Sequence, residues 1–188
     1  MANTTSLATP RVMAWFQRAD AAEYRLCLNI NRLSRRPRVR RLFCVVSRLG
    51  DGVFWYTLML LLPAIYGQAG LLPMLRMALV GVVGLALYKT LKRYLNRERP
   101  YISLHGVEAG MPPLDRYSFP SGHTLHAVSF STVVCASFPE LAWLCVPFAA
   151  LVAASRVVLG LHYPSDVAVG ATLGMGVALS CIKLLPIG

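Results

Sequence analysis

Five apolar runs follow one another along this chain, over residues 45–68, 72–91, 121–138, 141–159 and 164–185. A helix that crosses a bilayer needs about 20 such residues, with a range of roughly 17–25. Each run is close to that length, and only short polar breaks separate most of them. The pattern predicts an all-α, polytopic helical membrane protein with five to six transmembrane helices. Composition agrees: 56% of the 188 residues are hydrophobic and 14% charged, where soluble domains carry about a quarter charged. The formal net charge is +11. In a soluble protein that excess suggests nucleic-acid binding. Here the basic residues lie between apolar runs, so anionic lipid head groups are the expected partners and nucleic acid is not. No obligate protein partner is evident. Gly81, Gly84, Gly170, Gly174 and Gly176 are expected to let the helices pack closely, and Arg76 is expected to snorkel from one end of its run.

The first part of the chain is different. Residues 1–10 are polar. From 11 to 33, Val12, Trp15, Phe16, Ala19, Ala22, Leu26, Ile30 and Leu33 recur at helical spacing, with Arg18, Glu23, Arg25 and Arg32 mostly elsewhere on the wheel. This predicts an amphipathic helix, too charged to span and suited to the membrane interface. A basic cluster follows: Arg35, Arg36, Arg38, Arg40 and Arg41. The expected division is therefore 1–41 as tail, interfacial helix and basic linker, and 42–188 as the transmembrane core. The charges near the N-terminus interrupt any signal-peptide core. The five cysteines show no paired or zinc-binding spacing and read as small buried hydrophobes.

Counting crossings gathers the reactive side chains. If the first run starts at the near face, the second returns there at Lys92. The polar stretch 96–120 stays near, the third run starts near at Ser121, the fourth returns near at Arg156, and the fifth leaves near at Asp166. Lys92, Arg99, Ser121, His123, Arg156, His162 and Asp166 thus share one face. Lys92 offers a point charge, and Arg99 a planar fork, for phosphate oxygens. Pro120-Ser121-Gly122-His123 opens a helix, whose free N–H groups favour an anion. Ser121 adds a hydroxyl donor, Gly122 allows close approach, and His123 exchanges protons near neutral pH. Arg156 is a costly charge unless used. His162 and Asp166 are four apart, so the carboxylate can orient one ring nitrogen and leave the other free to attack. The competing reading is a metal held by His123, His126 and Asp166, which the neighbouring cations oppose.

These residues resemble the three-part signature of the type 2 phosphatidic acid phosphatase superfamily. K-x6-R-P is matched by Lys92 to Arg99-Pro100, P-S-G-H by Pro120 to His123, and S-R-x5-H-x3-D by Ser155-Arg156, His162 and Asp166. The resemblance covers residues 92–166, and the first 41 residues carry none of it. It implies a metal-independent lipid phosphatase without a cofactor, acting on a phosphorylated lipid. Lys92, Arg99, Ser121, Gly122 and Arg156 would hold phosphoryl oxygens, and His162 would attack phosphorus to form a phosphohistidine. Asp166 would orient His162, and His123 would protonate the leaving oxygen and then activate water. Such chemistry needs positioning and positive charge.

The favoured substrate is undecaprenyl pyrophosphate. Phosphatidylglycerophosphate, phosphatidate and lipid A are alternatives, as is phosphotransfer to another lipid. A non-catalytic lipid-binding membrane protein is the reading from another class; it would have no need of His123, His162 and Asp166 together. An inner (cell) membrane location is expected. Arg35, Arg36, Arg38, Arg40, Arg41 and Arg48 at the near face, against Arg76 and Lys183 at the far one, place the near face in the cytoplasm by the positive-inside rule. The resemblance implies the periplasmic side instead, and that orientation is preferred.

Overall fold

The structure, a computed structural model, describes residues 10–113 and 115–185. Apart from Pro10, the polar tail lies outside the described residues. Among those described there are helices and turns and no strands. Helix α1 spans Pro10–Asn31. Of its predicted apolar face, Phe16 packs inward, whereas Trp15 and Leu26 stay exposed. The inward stripe continues through Asp20, Glu23, Cys27 and Asn31, at helical spacing. The outward apolar residues suit a helix lying along a membrane interface.

The basic stretch expected as a linker is largely helical. Proline is preorganised for the first helical position, and Pro37 starts α2 (Pro37–Arg48) there, carrying Arg38, Arg40 and Arg41. A π-turn, Leu49–Val53, joins α2 to α3 (Phe54–Tyr66), with Gly52 at φ 140°. The first apolar run is thus the later part of a kinked helix. A tight turn at Gly67–Gly70 leads into α4 (Leu71–Leu95), which ends on Asn96 in the left-handed region, a common helix stop. One turn of helix, α5 (Pro100–Ser103), lies in the long connection. Then come α6 (Gly122–Ser137), α7 (Ala142–Val158) and α8 (Pro164–Leu184).

Among the described residues, three helical stretches are long and apolar enough to cross a membrane: Pro37–Ser103, Pro139–Val158 and Pro164–Leu184. The first contains both α2–α3 and α4. Helix α6, of 16 residues, falls short of that length and is the helix the others surround. It packs chiefly on α8, α4 and α7. Its Ala127, Phe130, Val133 and Val134 join Trp55, Met77, Val80, Cys145, Val152 and Ala178 in one core. Its hydroxyls are satisfied there by backbone carbonyls: Ser129 donates to Leu125, Ser131 to Cys145 and Thr132 to Val128, as buried polar groups require.

Two glycines set the distance between α6 and α8. A Cβ on Gly170 would lie 2.6 Å from the Ser121 carbonyl oxygen, and one on Gly174 would overlap the Leu125 carbonyl. Backbone therefore meets backbone, the close approach that small residues allow. Gly84 similarly faces Leu125, whereas Gly176 faces open space, so it does not pack as expected. Nor does Arg76 snorkel. It is buried, and its guanidinium donates to the Leu185 carbonyl at the end of α8.

Candidate active site

The chain reverses between α7 and α8 in five residues. Gly160 takes φ 69°, and the Leu161 and His162 amides both donate to the Arg156 carbonyl, 3.0 Å each. Tyr163 then caps α8, its amide donating to Asp166 Oδ2 at 2.9 Å. This wrap buries His162 and leaves its Nδ1 without a hydrogen bond. Nδ1 lies 3.6 Å from Asp166 Oδ2, beyond hydrogen-bond length but close enough for charge to act. Nε2 lies 3.2 Å from Arg99 Nη1. A guanidinium has no acceptor, so Nε2 is the acceptor and the ring proton sits on Nδ1, facing the carboxylate. Burial, then the charges of Arg156, Arg99 and Lys92, hold the His162 pKa well below its ordinary 6.5. The imidazole is neutral, with its Nε2 lone pair on the cationic side.

Three cations stand there. Lys92 is on the last turn of α4, Arg99 opens α5, and Arg156 closes α7; all are buried. Arg156 reaches the Ser47 hydroxyl through one terminal nitrogen, and its Nε has no partner. Arg99 also donates to the Leu161 carbonyl at 2.8 Å. The sequence reading passed over the residue that joins two of these cations. Asp115, in the long loop, accepts from Lys92 Nζ at 2.7 and 2.8 Å and from Arg99 Nη2 at 2.8 Å. Burial raises its pKa, but Lys92 and Arg99 outweigh that and hold the carboxyl below 3.8.

The start of α6 completes the group. Gly122 and His123 face the same space, whereas Ser121 does not line it. The Ser121 hydroxyl pairs with Thr124 Oγ1 at 2.9 Å, and its amide donates to the Asp166 carbonyl at 3.1 Å. The amide contact ties the start of α6 to α8, and the hydroxyl is engaged within α6. His123 Nε2 lies 3.1 Å from Oδ1 of Asp51, which comes from the π-turn. His126, one turn on, is 3.1 Å from the Gly81 carbonyl and stacks on Phe130. Asp166 is away from both, behind His162. Among the described residues no three His, Cys, Asp or Glu side chains gather as a metal site.

Arg97 is the second residue that sequence reasoning missed. It lies outside the three-part motif, yet it is buried against Asp166 Oδ1 at 2.6 Å and Asp20 Oδ1 at 2.6 Å. Its guanidinium stacks over Tyr163 at 3.8 Å. Glu23 adds a contact at 3.4 Å and accepts from the Ser165 amide. The only available signal was the pairing of two acids on one face of α1 with a surplus arginine.

The three cations, Asp115 and the histidines open on one cavity of about 380 Å³, within the range of small-ligand sites. Its polar end is lined by Lys92, Arg99, Asp115, His123, Arg156 and His162. Its other end runs between α3 and α4 along Trp55, Met59, Met77, Gly81, Val82 and Leu85. Of the predicted site residues, Lys92, Arg99, Gly122, His123, Arg156 and His162 line the cavity; Ser121 and Asp166 stand behind it.

Residues 69–186 match the family described as the PAP2 superfamily. An undecaprenyl-diphosphatase of Sulfolobus acidocaldarius is 28% identical over 104 residues, 55% of this chain and 50% of that protein. A decaprenylphosphoryl-5-phosphoribose phosphatase of Mycobacterium tuberculosis is 39% identical over 85 residues, 45% of each. The chain spans about half the length of these curated relatives. The crystal structure of Aquifex aeolicus LpxE superposes with a TM-score of 0.71 at 28% identity, covering 86% of this chain and 95% of that one.

Proposed function

The chain belongs to the PAP2 superfamily, and from that we propose that it is an integral-membrane lipid phosphatase, working without a metal through a phosphohistidine. The observation that carries this reading is the two-ended cavity. Three cations and two histidines sit at one end, and the other is an apolar groove within the helices. A phosphorylated lipid has the matching polarity, with its head among the cations and its chain in the groove.

His162 Nε2 attacks phosphorus, since its lone pair faces the cations while Nδ1 carries the proton. The new N–P bond forms as the P–O bond to the lipid breaks. His123 gives its ring proton to the departing oxygen, then takes one from the water that attacks the phosphohistidine. Asp166 balances the charge that His162 gains. Lys92, Arg99 and Arg156 stabilise the equatorial oxygens, supplying the positive charge that such transfers require. Gly122, at the helix N-terminus, presents its backbone to the same oxygens; Ser121 supports it from behind.

A prenyl diphosphate such as undecaprenyl pyrophosphate is the favoured substrate, supported by two relatives named for prenyl-linked phosphates. The site faces the periplasmic side of the inner membrane in this reading. Detergent-purified protein is expected to release phosphate from a prenyl diphosphate in excess chelator. His162→Ala should lose at least roughly a thousandfold in kcat. Full activity of that variant, or an absolute need for added metal, contradicts the reading.

A further inference from the structure

Asp51 lies outside the three-part motif and inside the cavity. We propose that it is the positioning residue for His123, so that the site holds two carboxylate–histidine pairs, Asp166 with His162 and Asp51 with His123. The inference rests on the reading of His123 as the acid that protonates the leaving oxygen.

The contact itself is the first observation. Asp51 Oδ1 is 3.1 Å from His123 Nε2, with the histidine side chain 12% exposed and the aspartate 48%. The second is the backbone that delivers the carboxylate. Asp51 sits at the kink Leu49–Val53 between basic α2 and apolar α3, the only turn of π type among the described residues, where Gly52 leaves helical geometry. Gly50 and Gly52 flank it. A Cβ on Gly50 would lie 2.5 Å from a Val152 methyl of α7, and Gly52, at φ 140°, adopts a conformation that side chains disfavour. Such interruptions concentrate at functional sites, and an acid within an apolar run is costly unless used.

Position along the cavity is the third. Lys92, Arg99, Arg156 and His162 surround the place for phosphorus, and the apolar groove begins at Trp55 and Tyr56, one turn beyond Asp51. The oxygen joining head to chain must cross between them, where His123 and Asp51 meet. When the P–O bond breaks, the proton of His123 goes to that oxygen, which leaves as a neutral alcohol from a monoester or as a lipid monophosphate from a diphosphate. Asp51 forms no bond to phosphorus. It stabilises the imidazolium before the proton leaves, and again after His123 has taken a proton from the attacking water.

The test uses the full chain in detergent with two substrates, a prenyl monophosphate and p-nitrophenyl phosphate. The first has a poor leaving group that needs a proton; the second has a good one that needs little. General acid catalysis contributes roughly 100- to 10,000-fold, and weakening its orienter should remove part of that. The comparison is made on kcat/KM, which ends at formation of the phosphohistidine and so leaves out the water step that both substrates share: Asp51→Asn is expected to lower it about 10- to 100-fold on the prenyl phosphate and to leave it within about threefold on the aryl ester. Asp51→Glu should recover most of the loss. Equal loss of kcat/KM on both substrates, or a higher kcat/KM for the lipid in Asp51→Asn, overturns the proposal. His123→Ala separates the two levels. If it spares the aryl ester while Asp51→Asn does not, only the role of Asp51 fails. If His123→Ala lowers kcat/KM for both esters alike, the reading of His123 as the leaving-group acid fails with it.

Discussion

Arg99 fixes the tautomer of His162 by donating to Nε2, and the same side chain is held by Asp115. Both contacts make predictions. Because burial and the nearby cations push the His162 pKa down from 6.5, the protonated form appears only at lower pH. An NMR titration of the histidine rings should therefore find His162 still neutral below pH 6.5; a midpoint at or above 6.5 contradicts the electrostatics. Asp115 engages two cations that a phosphate would use. Asp115→Asn removes an anion from their reach, so inorganic vanadate should inhibit several-fold more tightly, as expected from about 1 kcal/mol of relieved competition. Weaker inhibition would mean that Asp115 organises the cations for the phosphate. Neither Asp115 nor Asp51 was legible in the sequence. The motif residues announce themselves by spacing within 92–166, whereas these two carboxylates come from a loop and a kink, and only folding brings them to the cations and to His123.

Helices α1, α6 and α8 act on the site as whole elements. Gly170 and Gly174 let α8 lie against the α6 backbone, which keeps Asp166 beside the first turn that carries His123. Gly170→Val should cost about 1–3 kcal/mol by overpacking and displace that turn, with lower thermal stability and lower kcat together. Unchanged stability would contradict the backbone contact. The small residues and the apolar periodicity made this packing readable in advance, although Gly176 shows that a glycine alone does not locate an interface. Helix α1 was read correctly as amphipathic and incompletely as merely interfacial. Its Asp20 and Glu23 grip Arg97, which in turn holds Asp166. Hydrophobic periodicity identifies a helix face; it does not report that polar residues on that face have a buried partner some 75 positions away. Asp20→Asn with Glu23→Gln should lower kcat more than it raises KM, because Arg97 would pull harder on Asp166. A pure KM effect would assign α1 to substrate capture instead.

For the whole molecule, the order of apolar runs was enough to gather the signature residues at one end of a helical bundle, because each crossing returns the chain to a known face. Which face of the membrane that is depends on insertion, and the basic residues of α2 argue against the periplasmic orientation proposed above. A cysteine placed at exposed His105 should react with an impermeant maleimide added to intact cells, above the level of the parent chain; labelling only after lysis would reverse the orientation. The central claim is double displacement through His162 in a cavity shaped for a lipid phosphate. It is tested most directly by the stereochemical course at phosphorus, using a lipid thiophosphate made chiral with oxygen isotopes and hydrolysed in ordinary water. Two in-line steps, first at His162 and then by water, predict net retention in the released thiophosphate. Inversion would mean that water attacks the substrate directly and that His162 never carries the phosphoryl group.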